Sequence, residues 1–208
     1  LGSLKPIQLS NFDFDSYTTS RREFTTDEWI DLLIQSIGFN PELFGRRAKL
    51  IQLVRLIPFV ERNYNLVELG PRGTGKSHLF QQVSPYAHLI SGGKATVARM
   101  FVNNANGQRG LVCQYDVVCF DEVSGVSFDQ KDGVNIMKGY MESGEFSRGK
   151  ESIRADGAVV MVGNFDVDVE HQQRGALPPA MGRHCAGDAL PDRIVVAMWV
   201  LTLVNIAL

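Results

Sequence analysis

The chain has 208 residues, a formal net charge of −2 and a composition in which 44% of the residues are hydrophobic. This length suffices for one α/β domain with a sizeable core, so we expect one domain and a short leader. The small net charge excludes a strongly basic surface over the whole molecule, so any contact with nucleic acid must come from a local patch. Cys113, Cys119 and Cys185 have no CxxC spacing, which indicates structural, reduced thiols in a cytoplasmic protein and not disulfides or a zinc site.

The first part of the chain is predicted to be a leader followed by helices. Residues 1–24 are polar and irregular, and we predict no regular structure for them. Residues 25–62 are predicted to be a helical segment that packs on the core. Its first helix begins with a capping box in which Thr25 is the N-cap. A second helix is predicted to start at Pro41, and Pro58 should kink it or end it.

Strands and helices alternate in the core, for which we predict residues 63–193. Alternation of this kind predicts an α/β fold, a three-layer sandwich with a mostly parallel central sheet covered by helices on both faces. The predicted strands cover residues 66–69, 88–91, 115–120 and 158–162, and the predicted helices cover residues 76–83, 95–103 and 133–142.

The end of the chain, residues 194–208, carries no charged side chain. As a helix it would reach only about 22 Å, which is short of the roughly 30 Å of a bilayer core. We therefore expect a buried strand or helix here and no membrane span.

Residues 70–77, GPRGTGKS, match the phosphate-binding pattern G-x-x-x-x-G-K-[ST] and lie between a predicted strand and a predicted helix. Glycines allow the backbone N–H groups to turn toward phosphate oxygens, and the following helix adds the positive end of its dipole. Lys76 is expected to neutralise the β and γ phosphates of ATP, and Ser77 to offer its hydroxyl to Mg²⁺. The predicted nucleotide-binding residues are Gly70, Pro71, Arg72, Gly73, Thr74, Gly75, Lys76, Ser77 and His78.

Two further apolar stretches end in polar side chains. In YDVVCFDE, Asp121 should lie at the carboxyl edge of the sheet, where open α/β sheets bind ligands, and should hold Mg²⁺ through water. Glu122 is then the candidate to polarise the attacking water. In AVVMVGN, Asn164 is the candidate to orient that water or to contact the γ-phosphate, with a Gly-Asn turn as the alternative interpretation. The three elements together predict an ATPase site that uses ATP and Mg²⁺.

These motifs resemble those of the AAA+ ATPases, with Walker A at 70–77, Walker B at 117–122 and a sensor 1 asparagine at 164. Longer stretches resemble the Lon-related AAA+ proteins of the BREX bacteriophage-exclusion systems over about residues 10–174; they are GPRGTGKSHLF, SPYAHLISGGKATVARMF, VVCFDEVSGVSFDQKDGVNIMKGYMESGEFSRGKESI and MVGNFD. The resemblance implies cytoplasmic phage defence, a homo-oligomeric ring of six or a similar number of subunits, an association with DNA, and other BREX proteins as partners.

A basic turn or hairpin is predicted before the strand that ends at Asn164. It is similar to the pre-sensor hairpin of AAA+ helicases and transcriptional activators, which points into the pore of the ring. Repeated around a ring, such a patch could present a basic channel to DNA phosphates. The alternative is a solvated surface hairpin. The candidate DNA contacts are Arg148, Lys150 and Arg154 in this segment, and Lys94 in SGGKATVARMF.

The resemblance is expected to fade after residue 174, through a truncation or a shifted reading frame. Arg193 in LPDRIVV is the candidate arginine finger, and Arg183 and Arg174 are its competitors. The helical lid with its sensor 2 arginine and the Lon-like C-terminal domain are not found, so we expect no protease activity from this chain.

Two other functions stay open: a nucleotide-dependent binding or assembly module with little turnover, and the unfoldase part of a Lon-type protease.

Overall fold

A computed structural model of the chain describes residues 12–70, 75–91, 94–121, 127–128, 131–148, 151–164 and 194–198. The chain divides into two compact units, Leu1–Leu50 and Ile51–Leu208. The predicted candidate residues all belong to the second unit.

The first unit begins with helix α1, Phe14–Arg22, inside the segment for which the sequence predicted no regular structure. The prediction of an irregular leader is therefore wrong for these residues. Asp13 is the N-cap of α1, because its Oδ1 accepts hydrogen bonds from the backbone N–H groups of Asp15 (3.1 Å) and Ser16 (3.0 Å). Both bonds lower the pKa of Asp13, and the bond from Ser16 has the larger effect. The polar composition of the leader concealed this capping signal.

Helix α2, Thr26–Ser36, starts as predicted. The Thr25 hydroxyl accepts from the backbone N–H of Glu28 at 3.3 Å, and the Glu28 carboxylate accepts from the backbone N–H of Thr25 at 2.8 Å. This reciprocal pair is the capping box that the sequence indicated, and it fixes the first turn of α2.

The predicted second helix is divided into separate pieces. A 3-10 turn covers Pro41–Leu43, and helix α3 covers Arg46–Val54. Pro58 lies in another 3-10 turn, Ile57–Phe59, after α3 has ended. The prediction that Pro58 ends or kinks the helix agrees with this arrangement, because proline cannot continue the helical hydrogen bonds.

The second unit is an α/β structure around one parallel sheet. Its elements in chain order are β1 Asn65–Gly70, α4 Lys76–Gln82, β2 Ala87–Ser91, β3 Lys94–Ala95, α5 Val97–Met100, β4 Val102–Asn103, β5 Gln108–Arg109, β6 Val117–Asp121, β7 Ser127–Phe128, α6 Lys131–Ser143, β8 Glu145–Arg148, β9 Glu151–Arg154, β10 Ala158–Asn164 and β11 Ile194–Met198.

The central sheet has the strand order β11-β1-β10-β6-β2, and each neighbouring pair in it is parallel. All six residues of β1 are buried, which is typical of a strand inside a parallel sheet covered on both faces. The predicted α/β fold with a mostly parallel sheet is confirmed. Because parallel strands point the same way, the ends of β1, β10 and β6 meet at one edge of the sheet.

Strand β11 corrects the predicted domain boundary. Asn65–Leu69 of β1 pair in parallel register with Ile194–Met198, so the core sheet extends past residue 193. Part of the apolar segment 194–208, for which the sequence predicted a buried strand or helix, is therefore a strand of that sheet. Its composition of β-branched and apolar residues suits such a position.

The helix predicted over residues 95–103 is shorter than expected, because α5 ends at Met100. The chain then turns back through the hairpin of β4 and β5. Gly107 has a φ of +69°, and its N–H donates to the carbonyl of Asn103 at 2.8 Å. This turn needs a left-handed residue, which glycine adopts at little cost, and it favours the hairpin over a longer helix.

An aromatic cluster packs on one side of the sheet. The rings of Phe101, Tyr140 and Phe146 contact one another with centroid distances between 4.9 and 6.0 Å. The buried Tyr140 hydroxyl donates to the carbonyl of Gly157. Burial raises the pKa of Tyr140, so this hydroxyl stays protonated and remains a donor.

Replacing Tyr140 with phenylalanine should lower the free energy of unfolding by about 1–2 kcal/mol, because the Gly157 carbonyl loses a buried donor. Urea denaturation followed by circular dichroism measures this change. The matched control is Tyr86→Phe, since Tyr86 is exposed. Equal urea midpoints for the two variants would contradict the prediction.

Candidate nucleotide-binding site

The ends of the glycine-rich loop are held by β1 and α4. Gly70 is the last residue of β1, and Gly75 is the N-cap of α4. Gly75 has φ 74° and ψ 15°, a left-handed conformation that residues with a Cβ adopt only with strain. Pro71, Arg72, Gly73 and Thr74 lie outside the described residues. The predicted context, a strand that ends at Gly70 and a helix that begins at Lys76, is confirmed.

Lys76 is buried at the start of α4, with 4% of its surface exposed. Its Nζ donates to the carbonyl oxygen of Gly70 at 3.0 Å. Burial lowers the pKa of Lys76, and Arg55 lowers it further, while the carboxylates of Glu68 and Asp121 raise it. The ammonium group therefore lies at the point where the loop leaves the sheet, which is the position expected for a phosphate-binding lysine.

The next two predicted residues have different environments. Ser77 is partly buried in the first turn of α4, directly after Lys76. His78 follows it and is exposed. The structure thus brings Ser77 to the loop, whereas the binding role predicted for His78 stays a prediction.

Asp121 and Asn164 end two neighbouring strands at the same edge as the loop. Gly70 and Asn164 are direct partners in the pairing of β1 with β10, and Asp121 pairs with Val162 of β10. The charge of Asp121 also interacts with Lys76. The predicted grouping of these positions at the carboxyl edge is therefore present. Glu122 lies outside the described residues.

The predicted hairpin is present as β8 and β9, and its register pairs each arginine position with a glutamate position. In the antiparallel register Glu145 is opposite Arg154, and Arg148 is opposite Glu151. Opposite charges at facing positions, as for Glu145 and Arg154, generally stabilise a hairpin. Arg154 is exposed. The contact with DNA stays a prediction.

The remaining candidate positions are Lys94, Lys150 and Arg193. Lys150 and Arg193 lie outside the described residues. The backbone of Lys94 belongs to β3, a two-residue strand that pairs with β7.

A buried charged pair next to the loop was missed by sequence reasoning. Arg55 and Glu68 are each 1% exposed, and Arg55 Nε donates to Glu68 Oε2 at 3.0 Å. Burial raises the pKa of Glu68, while the cations of Arg55 and Lys76 oppose this shift. One signal in the sequence could have indicated this pair. A glutamate lies in the middle of the apolar strand NLVELG, and a buried carboxylate requires a partner.

The residues present fit a Mg²⁺-bound nucleotide. Lys76 provides a buried cation at the end of the loop, and Ser77 and Asp121 are oxygen donors of the kind that Mg²⁺ prefers. Within the described residues, no group of three or more His, Cys, Asp or Glu side chains could hold a metal ion. None of the helices in that part of the chain is long and apolar enough to cross a bilayer.

Three features define an α/β P-loop NTPase domain of the AAA+ type. They are the parallel sheet, the loop between β1 and α4, and Lys76 and Asp121 at the edge of the sheet. Residues 1–201 match the family model described as "Lon-like protease BrxL-like, ATPase domain", and the chain belongs to this family. The match to this family model extends past residue 174, to residue 201.

Two curated relatives carry the name "Lon-like protease BrxL". The protein from Escherichia coli O9:H4 (strain HS) is 52% identical over 170 residues, which is 82% of this chain and 24% of the relative. The protein from Bacillus cereus (strain H3081.97) is 48% identical over 168 residues, which is 81% of this chain and 25% of the relative. The chain thus spans about a quarter of the length of these relatives.

Proposed function

We propose that this chain binds ATP with Mg²⁺ and hydrolyses it, as the ATPase part of a BREX phage-defence protein. In this proposal hydrolysis drives the remodelling of a homo-oligomeric ring on DNA in the bacterial cytoplasm, with other BREX proteins as partners. The chemistry is phosphate release and not peptide cleavage. The observation that carries the proposal is the buried Lys76, hydrogen-bonded at the end of the loop and within electrostatic range of Asp121.

Each residue has a defined role in this proposal. Lys76 neutralises phosphate charge, and Ser77 and Asp121 hold the Mg²⁺. Bound Mg²⁺ would stabilise the negative charge that develops on the phosphate oxygens. Glu122 polarises the attacking water, and Asn164 orients it. Arg193 supplies positive charge to the site of a neighbouring subunit.

Replacing Glu122 with glutamine should reduce phosphate release by about a hundredfold or more, because a general base commonly contributes that much to the rate. Binding of ATP should be retained, since the amide keeps the size of the side chain. Steady-state phosphate release in the presence of Mg²⁺ and filter retention of labelled ATP measure the two quantities. Glu142→Gln is the matched control, because Glu142 is exposed on α6.

The outcomes separate the proposed functions. Release that is lost in Glu122→Gln and kept in Glu142→Gln supports the ATPase. Retention of ATP with no release by the wild-type chain would instead indicate a nucleotide-dependent assembly module. Release by wild type and Glu122→Gln at equal rates would contradict the role of Glu122.

The ring and the DNA association have their own test. When ATP and duplex DNA are added, we expect the mass of the assembly to rise to a multiple of 23.1 kDa plus the mass of the bound DNA and nucleotide. Native mass spectrometry measures it, and stimulation of phosphate release by duplex DNA provides a second readout. A monomer under all conditions would contradict the ring.

A further inference from the structure

A buried ion pair lies beside the phosphate-binding loop. Arg55 follows α3, and its Nε donates to the carboxylate of Glu68 in β1 at 3.0 Å. Its Nη1 donates to the side-chain oxygen of Gln52 at 3.0 Å. All three side chains are 1% exposed, so the guanidinium and carboxylate are shielded from water.

The same guanidinium reaches the far end of the loop. Its Nη2 donates to the carbonyl oxygens of Gly75 at 3.3 Å and Lys76 at 3.2 Å. Glu68 lies just before Gly70, where the loop begins, and Gly75 and Lys76 lie where it ends. Arg55 therefore connects the strand before the loop to the helix after it.

Stability alone does not account for this pair. Moving two charges out of water costs several kcal/mol per ion, and well-packed apolar residues of similar volume are often equally or more stabilising. A planar guanidinium, in contrast, fixes the relative positions of several acceptors at once. The pair contacts both ends of the loop, so its location matches a role in loop geometry.

We propose that Arg55 and Glu68 are positioning residues of the nucleotide site, which fix the end of β1 relative to the start of α4. They thereby hold the loop and Lys76 in the arrangement that receives the phosphates. This inference rests on the proposed function for its effect on ATP. The carboxylate of Glu68 also interacts with Lys76, so this buried anion stabilises the positive charges of both Arg55 and Lys76.

Two variants separate positioning from stability. Arg55→Lys keeps the positive charge next to Glu68 but cannot donate from a planar fork to Gln52 and both carbonyls. The double variant Arg55→Met with Glu68→Leu replaces the pair by apolar side chains. We expect the dissociation constant for ATP to rise about tenfold or more in both variants, a change of roughly 1.4 kcal/mol per factor of ten.

The double variant leaves the Gln52 side-chain oxygen without its donor, so its urea midpoint should fall by about as much as that of Tyr140→Phe, which also loses one buried donor. A purely structural pair would affect ATP affinity no more than Tyr140→Phe does, so affinity lost by the double variant alone identifies positioning. Tyr140→Phe is the control, because it removes a buried hydrogen bond elsewhere in the same unit. Its ATP affinity should equal that of the wild type.

Hydrogen exchange without nucleotide provides a readout that does not depend on ATP. The amides of residues 75–80 should exchange several times faster in the double variant, while those of residues 158–162 in β10 should be unchanged. The proposal is overturned if the amides of residues 75–80 exchange as in the wild type, or if the double variant binds ATP with wild-type affinity. If the wild type itself does not bind ATP, the proposed function fails, and the exchange rates still decide whether the pair positions the loop.

Discussion

Replacing Lys76 with alanine should weaken ATP binding by about a hundredfold or more, a change of roughly 2.7 kcal/mol. The ammonium group is almost fully buried and donates to the Gly70 carbonyl at 3.0 Å. A charge in such a position interacts more strongly with phosphate than an exposed lysine does, because the surrounding protein screens it less than water would. Filter binding of labelled ATP with Mg²⁺ measures the change.

The fold should survive the Lys76 substitution. Burying the lysine costs desolvation, and Glu68 keeps Arg55 as its partner when Lys76 is removed. The urea midpoint should therefore change little. Lys138→Ala is the matched control, since Lys138 is exposed on α6. Equal retention of ATP by the wild type and Lys76→Ala would contradict the assignment of the loop.

Replacing Asn65 with leucine should lower the free energy of unfolding by about 3 kcal/mol or more, because it leaves several buried polar groups without partners. Asn65 is fully buried at the start of β1. Its Oδ1 accepts from the backbone N–H of Val159 in β10 at 2.8 Å. Its Nδ2 donates to the carbonyl of Met141 in α6 at 3.0 Å and to that of Asn63 at 3.1 Å.

For a chain of this size, a loss of that magnitude corresponds to a decrease in Tm of about 10 °C. Thermal denaturation and urea denaturation measure the two quantities. Asn104→Leu is the matched control, because Asn104 is exposed in the turn between β4 and β5. If Asn65→Leu and Asn104→Leu have the same Tm, the Asn65 contacts do not contribute as the structure indicates.

Much of the core and of the nucleotide site could be predicted because its signals are local. The capping box at Thr25, the loop that ends in Lys76 and Ser77, and the apolar strand that ends in Asp121 each depend on a few adjacent residues. The alternation of strands and helices predicted a parallel sheet, and the direction of parallel strands then placed their polar ends at one edge. Composition also indicated a strand or helix for the uncharged end of the chain, where β11 is found.

Contacts between distant residues were decided by the tertiary structure. Nothing local indicates that β10 lies between β1 and β6, or that β11 extends the sheet beside β1. Glu68 shows in the sequence only as a charge in an apolar strand, and its partner is identified by the path of the chain after α3. Asn65 likewise binds the backbone of Val159, which lies 94 residues further along the chain. Sequence patterns indicate which residues are buried, because burial follows from the spacing of apolar side chains along each element. The order of the strands in the sheet decides which buried groups come into contact.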